Sequence, residues 1–381
     1  MRLRFTALSA LLLLSCAARA DLMISANDGK QIVKGDPTGR TPDSVTVLDT
    51  KSYPPRVIGS VEVPAAMIGS PNAVAVGPGA KFVIVTAAQK FVPADPENAV
   101  PDDTVSVIDL ADPAHPKWLQ TAHAGLTPGG VTINRAGTLV LVANKSYDTI
   151  SVFTLRGKRL APAGTVALDK GAAPTDVVFA PDGRKAYVAA WGVNKIIELG
   201  IEGVRVTRTG KDVETGINPY GAMITPDGAW LINTNVGGAL DHKTAGTLSM
   251  IDLKTGKLAL SLEVGKTPEH VALSPDGRHA ALVLANGAAT VKSDPKYDGL
   301  VGIIRIYAVG PGTLTPVAEA ASCHWAQGLA WSEDGKLVMQ QCAAERVIQV
   351  FGFDGTSLKR DDAATLSFVS RPGSLSTRRS R

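Results

Sequence analysis

Cysteine, aromatic residues and net charge are all in short supply in this sequence. Three cysteines in 381 residues are too few for a disulfide-dense scaffold or a multi-cysteine metal module. Aromatic side chains make up 5% of the chain, thin material for the stacking surfaces that grip single-stranded nucleic acid. The formal net charge is +4, and Arg2, Arg4 and Arg19 carry most of it, so the chain after residue 20 stands at +1. A balance so close to neutral argues against a general electrostatic grip on nucleic acid. The basic cluster Arg371, Arg378, Arg379 and Arg381 closes the chain and reads as a solvated tail. After the first twenty residues no apolar run approaches the ~18 that a membrane helix needs. The C-x-x-C-H of covalent haem, the phosphate loop, the dinucleotide fingerprint and the G-x-S-x-G nucleophile elbow are likewise missing. The sequence therefore implies no cofactor, and no motif marks the chain as an enzyme.

What is present starts with residues 1–20. Arg2 and Arg4, the apolar run Leu8 to Leu14 and the small-residue end Ala18-Arg19-Ala20 form the pattern of a secretory signal cut before Asp21. The chain is expected in the periplasm or otherwise exported, as a monomer without a transmembrane segment. Leu13-Leu14-Ser15-Cys16 leaves an alternative open, a lipobox-like end that would anchor the protein through lipid on Cys16.

Hydrophobic residues make up 45% of the chain, and 38 Gly with 24 Pro make about one residue in six, so a core interrupted by many turns is expected. One phrase recurs: a proline, an apolar triplet, a Pro-Asp-Gly-like turn and a second apolar run. It starts at Pro71, Pro128, Pro174, Pro219 and Pro268, and again without the proline at Ala326. An alternating strand of the type Thr-Val-Ser-Val-Ile-Asp follows each copy, from Thr104–Asp109 to Val347–Phe351. A seventh, Ser44–Asp49, has no first half before it; the missing half is the C-terminal Pro-Gly-Ser-Leu-Ser-Thr from Pro372, with Ile24–Asn27 as second strand. Each unit predicts four short antiparallel strands, and such sheets bury both faces only by stacking radially. Seven units closed by both termini leave no broken edge. The expected fold is all-β, one seven-bladed propeller over residues 21–381, with a basic tail after about residue 377.

PDGRKAYVAA, GTLVLVANKSYDTISVF and PDGRHAALVLAN resemble the YVTN repeat, and the chain is similar to the exported YncE-like seven-bladed propellers over residues 22–377. The resemblance implies the fold; the biochemistry of that family is sparse and varied. Blade six departs most, with Ala326 in the proline slot and Cys342 in the asparagine slot.

Residues beside each proline slot begin the innermost strands and ring the channel mouth: Asn72, Asp176, Tyr220, Glu269, His270, Trp325 and Gln327, with His324 just before. Two carboxylates, two imidazoles and two aromatics suit a small polar ligand or protein partner. His270 with Asp176 or Glu269 would also serve a lactonase-like hydrolase as general base and orienter. Four long connections, Asn27–Ser44, Ala87–Thr104, Thr234–Thr247 and Asn286–Gly302, are expected to wall this face in two adjacent pairs. Asp241-His242, inside one of them, reads as a solvated pair, and Asp252 to Lys257 as a turn rather than a quinone motif. Single-stranded nucleic acid is a further reading, resting on Trp325, Tyr220, Lys90 and Lys292. Cys323, His324, Cys342 and Met339 could offer copper ligands. Registering the hairpin on its Ser332–Gly335 turn, however, puts Cys342 opposite Trp325, so a disulfide with Cys323 is the simpler expectation and no metal is assigned.

Overall fold

Runs such as Leu139–Ala143 are apolar at every position, which in a strand means that both faces are covered. A computed structural model of the protein shows how. It describes residues 21–32, 39–68, 71–92, 95–238, 244–289 and 295–378. Seven antiparallel sheets of four strands follow one another along the chain, with Val213–Glu214 added at the edge of blade 3. Leu139, Leu141 and Ala143 of blade 2 pack towards blade 3, while Val140 and Val142 pack towards blade 1. The same division holds around the ring. Seven apolar clusters of described residues each join two neighbouring blades, so the core is a set of inter-blade layers.

The repeated turn has a mechanical role. In blade 5, Asp276 Oδ1 accepts from the Ser274 hydroxyl at 2.6 Å and the Arg278 N–H at 3.0 Å, and Gly277 takes φ +70°. A Cβ on Gly277 would meet Pro226 of blade 4 at 2.6 Å, and one on Gly137 would meet Pro78 of blade 1 at 2.8 Å. Glycine thus satisfies the turn and lets the preceding blade's proline seat against it.

The asparagine that ends the second strand has a role too. Asn144 Nδ2 donates to Thr149 and Ser151 at 3.0 and 2.9 Å, and Asn235 clasps Thr247 and Ser249 at 2.9 Å each. Blade 6 has Cys342 in this slot, and there Cys342 is bonded to Cys323 instead. The expected pairing is right but the register is off by one: Cys342 opposes Ala326, not Trp325, because the strand is irregular between Ala326 and Leu329. With both sulfurs joined, neither is a thiolate for copper.

Arg371–Thr377 pairs with Leu22–Asp28, which pairs with Ser44–Asp49, so the two ends of the chain complete one blade as expected. Arg371 is therefore not part of a tail. It is 1% exposed and donates to the carbonyls of Gln31, Ala343 and Ala344. The signal segment with Cys16, Asp241-His242, Lys292 and Arg379–Arg381 lie outside the described residues.

Two more expectations meet the structure. Asp252 pairs with Lys257 across a tight turn and caps the N–H groups of Lys254 and Thr255, as read. The connection of blade 1 is not a loop: Phe82–Val92 and Asp95–Asp109 continue pairing beyond the sheet as a two-stranded ribbon. Arg40 of blade 7 stacks over Phe91 of this ribbon at 3.8 Å, and Gln31 bonds Gln89 at 3.3 Å. Blades 7 and 1 thus build one joint wall.

Candidate functional site

In five of the repeats the chain enters the channel through a sharp turn. Thr127, Ala173, Asn218, Thr267 and Trp325, each one residue before a proline slot, have φ between 44° and 58°. For a residue with a Cβ this left-handed backbone costs roughly 1–2 kcal/mol. It swings the chain from the outer strand of one blade to the inner strand of the next. The residues that follow face the axis.

Three of the expected site residues meet there. Asp176 of blade 3 accepts from the Val177 N–H at 2.8 Å, the Ala222 N–H at 2.9 Å and Asn72 Nδ2 at 2.6 Å. Asn72 Oδ1 of blade 1 lies 3.1 Å from His270 Nε2 of blade 5, and the Leu329 N–H of blade 6 donates to His270 Nδ1 at 3.0 Å. A backbone N–H only donates, so Nδ1 is the acceptor nitrogen and the ring proton sits on Nε2. Asp176, Asn72, His270 and Leu329 form one hydrogen-bonded chain across the axis, and its three side chains are buried. Gly130 of blade 2 makes room for it: a Cβ there would lie 2.2 Å from Asp176 Oδ1.

A second group lies one step earlier on the inner strands. Gln327 Nε2 donates to Glu269 Oε2 at 2.9 Å. Burial pushes the Glu269 carboxyl up to about 8, against a smaller opposing effect of that hydrogen bond. The Tyr220 hydroxyl is held far above its ordinary value, first by burial and then by the nearby charges of Glu269 and Asp176. Trp191 meets Tyr220 edge-on at 5.4 Å, and Lys145 Nζ sits 4.7 Å over the Trp191 ring. Gln327 is 4% exposed, yet its Oε1 has no partner among the described residues. A buried amide oxygen left this way costs free energy until a donor reaches it.

The remaining two candidates sit elsewhere. His324 Nδ1 bonds Glu345 at 2.6 Å, Nε2 bonds the Tyr297 carbonyl at 2.8 Å, and the ring stacks on Tyr297. Both its nitrogens are used in tying the blade 5 connection to blade 6. The Trp325 backbone bridges Ala288 and Ala343.

At the opposite end of the channel lies a cavity of about 690 Å³, with Val76, Phe179, Met223 and Leu273 on its wall and Asn72 and His270 among its lining residues. Sequence reasoning missed this funnel, and also Gly130, Trp191 and Lys145. Apolar residues at the far ends of inner strands read only as core, and a glycine's fit against another blade leaves no local signal.

No protein-family model matches the sequence, and no curated protein matches it. Solved structures do share its architecture. A protein of Bacteroides uniformis, provisionally described as a 6-phosphogluconolactonase, superposes with a TM-score of 0.72 at 17% identity, over 94% of this chain and 99% of that one. The periplasmic gluconolactonase of Pseudomonas aeruginosa gives 0.70 at 14% identity, over 93% and 98%. A functionally unknown protein of Desulfotomaculum acetoxidans gives 0.69 at 12%, over 94% and 99%. At such identities the likeness is one of fold: the chain is a seven-bladed β-propeller with the architecture of these proteins.

Proposed function

We propose that the protein is an exported binding propeller that holds a small polar ligand at the loop-side mouth of its channel. The observation that carries this reading is the contrast between the two polar groups at the axis. His270 spends both ring nitrogens inside the protein, so it presents no open nitrogen to act as a general base. Glu269 and Gln327, beside Tyr220, keep acceptor capacity that no described residue uses. Such a mouth suits holding a ligand better than attacking one. The resemblance of the repeats to exported propellers, the leader-like residues 1–20 and the Cys323–Cys342 disulfide support an oxidising, exported setting.

A lactone hydrolase is the second reading. It is favoured by Glu269, a carboxyl that keeps its proton near neutral pH and so suits a general acid. The fold shared with lactonases is compatible with it. Single-stranded nucleic acid has less support, because Lys90 is paired with Asp102 at 2.8 Å, while Lys145 and Arg40 lie over aromatic rings.

The test is a thermal-shift and pH-stat experiment with glucono-δ-lactone on the chain from Asp21. A raised melting temperature with acid release no faster than the spontaneous hydrolysis of the lactone supports the binding role. Acid release above the spontaneous rate, with the excess lost in Glu269→Gln, replaces it with the hydrolase.

A further inference from the structure

Resting on that reading of the mouth, we infer that the ligand it takes is a small organic ammonium, with the –NH₃⁺ group received by Glu269 and the orphaned Gln327 Oε1. The unmet groups at this site share one sign. Glu269 uses one carboxylate oxygen to accept from Gln327 Nε2, and Oε1 of that same amide is buried and has no donor among the described residues. With Glu269 ionised, as a bound cation requires, the amide cannot be turned to cure this, because its NH₂ would then leave the carboxylate. What the pair lacks is a donor with more than one hydrogen to give. An ammonium supplies three and brings the charge that a desolvated carboxylate needs.

The walls agree with that choice. Tyr220 lies close enough for its hydroxyl to respond to the charges of Glu269 and Asp176, and Trp191 stands edge-on behind it. The Tyr220 ring offers flat apolar surface to the ligand's body and a π face to its cation, while Trp191, with Lys145 over its own ring, backs it. The other titratable groups on this side are Asp176, which already accepts three hydrogen bonds, neutral His270, and Lys145 over the Trp191 ring. Asp176 and His270 do not oppose a cation; Lys145 does, but it is engaged on Trp191 rather than on the pair, and burial lowers its pKa. A lactone or sugar acid brings hydroxyl donors too, but with them carbonyl or carboxylate acceptors and no positive charge for the carboxylate, the less favourable match.

Binding has a proton signature. Below about pH 8 the unliganded Glu269 carries a proton. Pairing with –NH₃⁺ requires the carboxylate, so the O–H proton passes to the buffer while the ligand keeps its three hydrogens. Close to one proton is released per ligand bound at neutral pH.

The experiment is isothermal titration calorimetry of the chain from Asp21 at pH 7. It is run with benzylammonium chloride, benzyl alcohol, sodium benzoate and glucono-δ-lactone, in two buffers of different ionisation enthalpy. Benzylammonium is expected to bind with release of about one proton, and Glu269→Gln and Gln327→Met are each expected to weaken it at least tenfold. Proton release is read on the unmodified chain, so it stands even if a variant folds poorly; circular dichroism checks the variants. Benzyl alcohol or benzoate binding as tightly as benzylammonium overturns the inference. So does binding that is indifferent to Glu269→Gln. Lactone binding lost in Tyr220→Ala, with no benzylammonium binding, sinks the ammonium and keeps the mouth as a binding site. Silence from all four probes sinks both.

Discussion

His270 Nε2 and Asn72 Oδ1 lie 3.1 Å apart, a contact that joins blade 5 to blade 1 across the axis rather than around the ring. With Asp176 beyond Asn72, it ties three non-adjacent blades together. His270→Ala removes two hydrogen bonds and leaves the Leu329 N–H and the Asn72 carbonyl oxygen to find other partners. The expected cost is about 2–4 kcal/mol in urea unfolding. Asn72→Ala is expected to cost a similar amount, and the double variant less than the sum, because the residues share one chain of bonds. Additive losses would mean that the two side chains act separately.

Glu269 makes stability fall as pH rises. Its carboxyl ionises near 4.5 when unperturbed but near 8 in the folded protein, so between those values the folded state holds a proton that the unfolded state has lost. Its contribution is full below about pH 4.5 and is lost progressively as pH climbs through 8. Glu269→Gln, which cannot ionise, is expected to flatten this part of the profile and to raise the melting temperature most at pH 8–9. A variant profile parallel to that of the parent chain would contradict this.

The disulfide closes a loop with a sequence separation of 19 residues. Cys323→Ala with Cys342→Ala is expected to cost about 3 kcal/mol in the chain-entropy account. Replacing Cys342 by asparagine should not recover the loss, since Val347 and Gln349 stand where other blades offer Thr and Ser. Adding Val347→Thr and Gln349→Ser is expected to regain about 1 kcal/mol of it by rebuilding the clasp, measured by urea unfolding.

Arg371 carries its charge into the blade that closes the ring, where backbone carbonyls surround it. Arg371→Met keeps the aliphatic length and removes the donors. It is expected to lower stability by about 3 kcal/mol, with Arg371→Lys intermediate, in thermal unfolding. Equal melting temperatures for Met and the parent arginine would show that the buried donors contribute little.

The fold was legible because each repeat carries its own instructions. The aspartate of the Pro-Asp-Gly turn caps two groups within four residues of itself, and Asn144 clasps residues five and seven ahead. Pro372 and Ile24 could be matched by phase alone. The site was legible only by position. Nothing local says that Asn72 meets Asp176 and His270, which are 104 and 198 residues away, because ring curvature decides it. His324 looked equivalent to His270, but it sits just before the inner strand and turns to the blade 5 connection instead. Arg371 looked like tail because charge near a terminus usually is, and only the closing strand reveals that it is enclosed.

Because the last strand of the chain is the innermost of the first sheet, the propeller has an order of completion built into its topology. A chain made or exported from its N-terminus displays Leu22–Glu62 as three strands with a bare inner edge until Arg371–Thr377 arrives. Every earlier blade can form behind the advancing chain, but the circle latches only when the final residues have been delivered. Met23 and Thr377 face each other in this blade, so the chain could be cut at an outer turn such as Gly203 and joined instead between these two strands, moving the latch to another blade while leaving the ring the same.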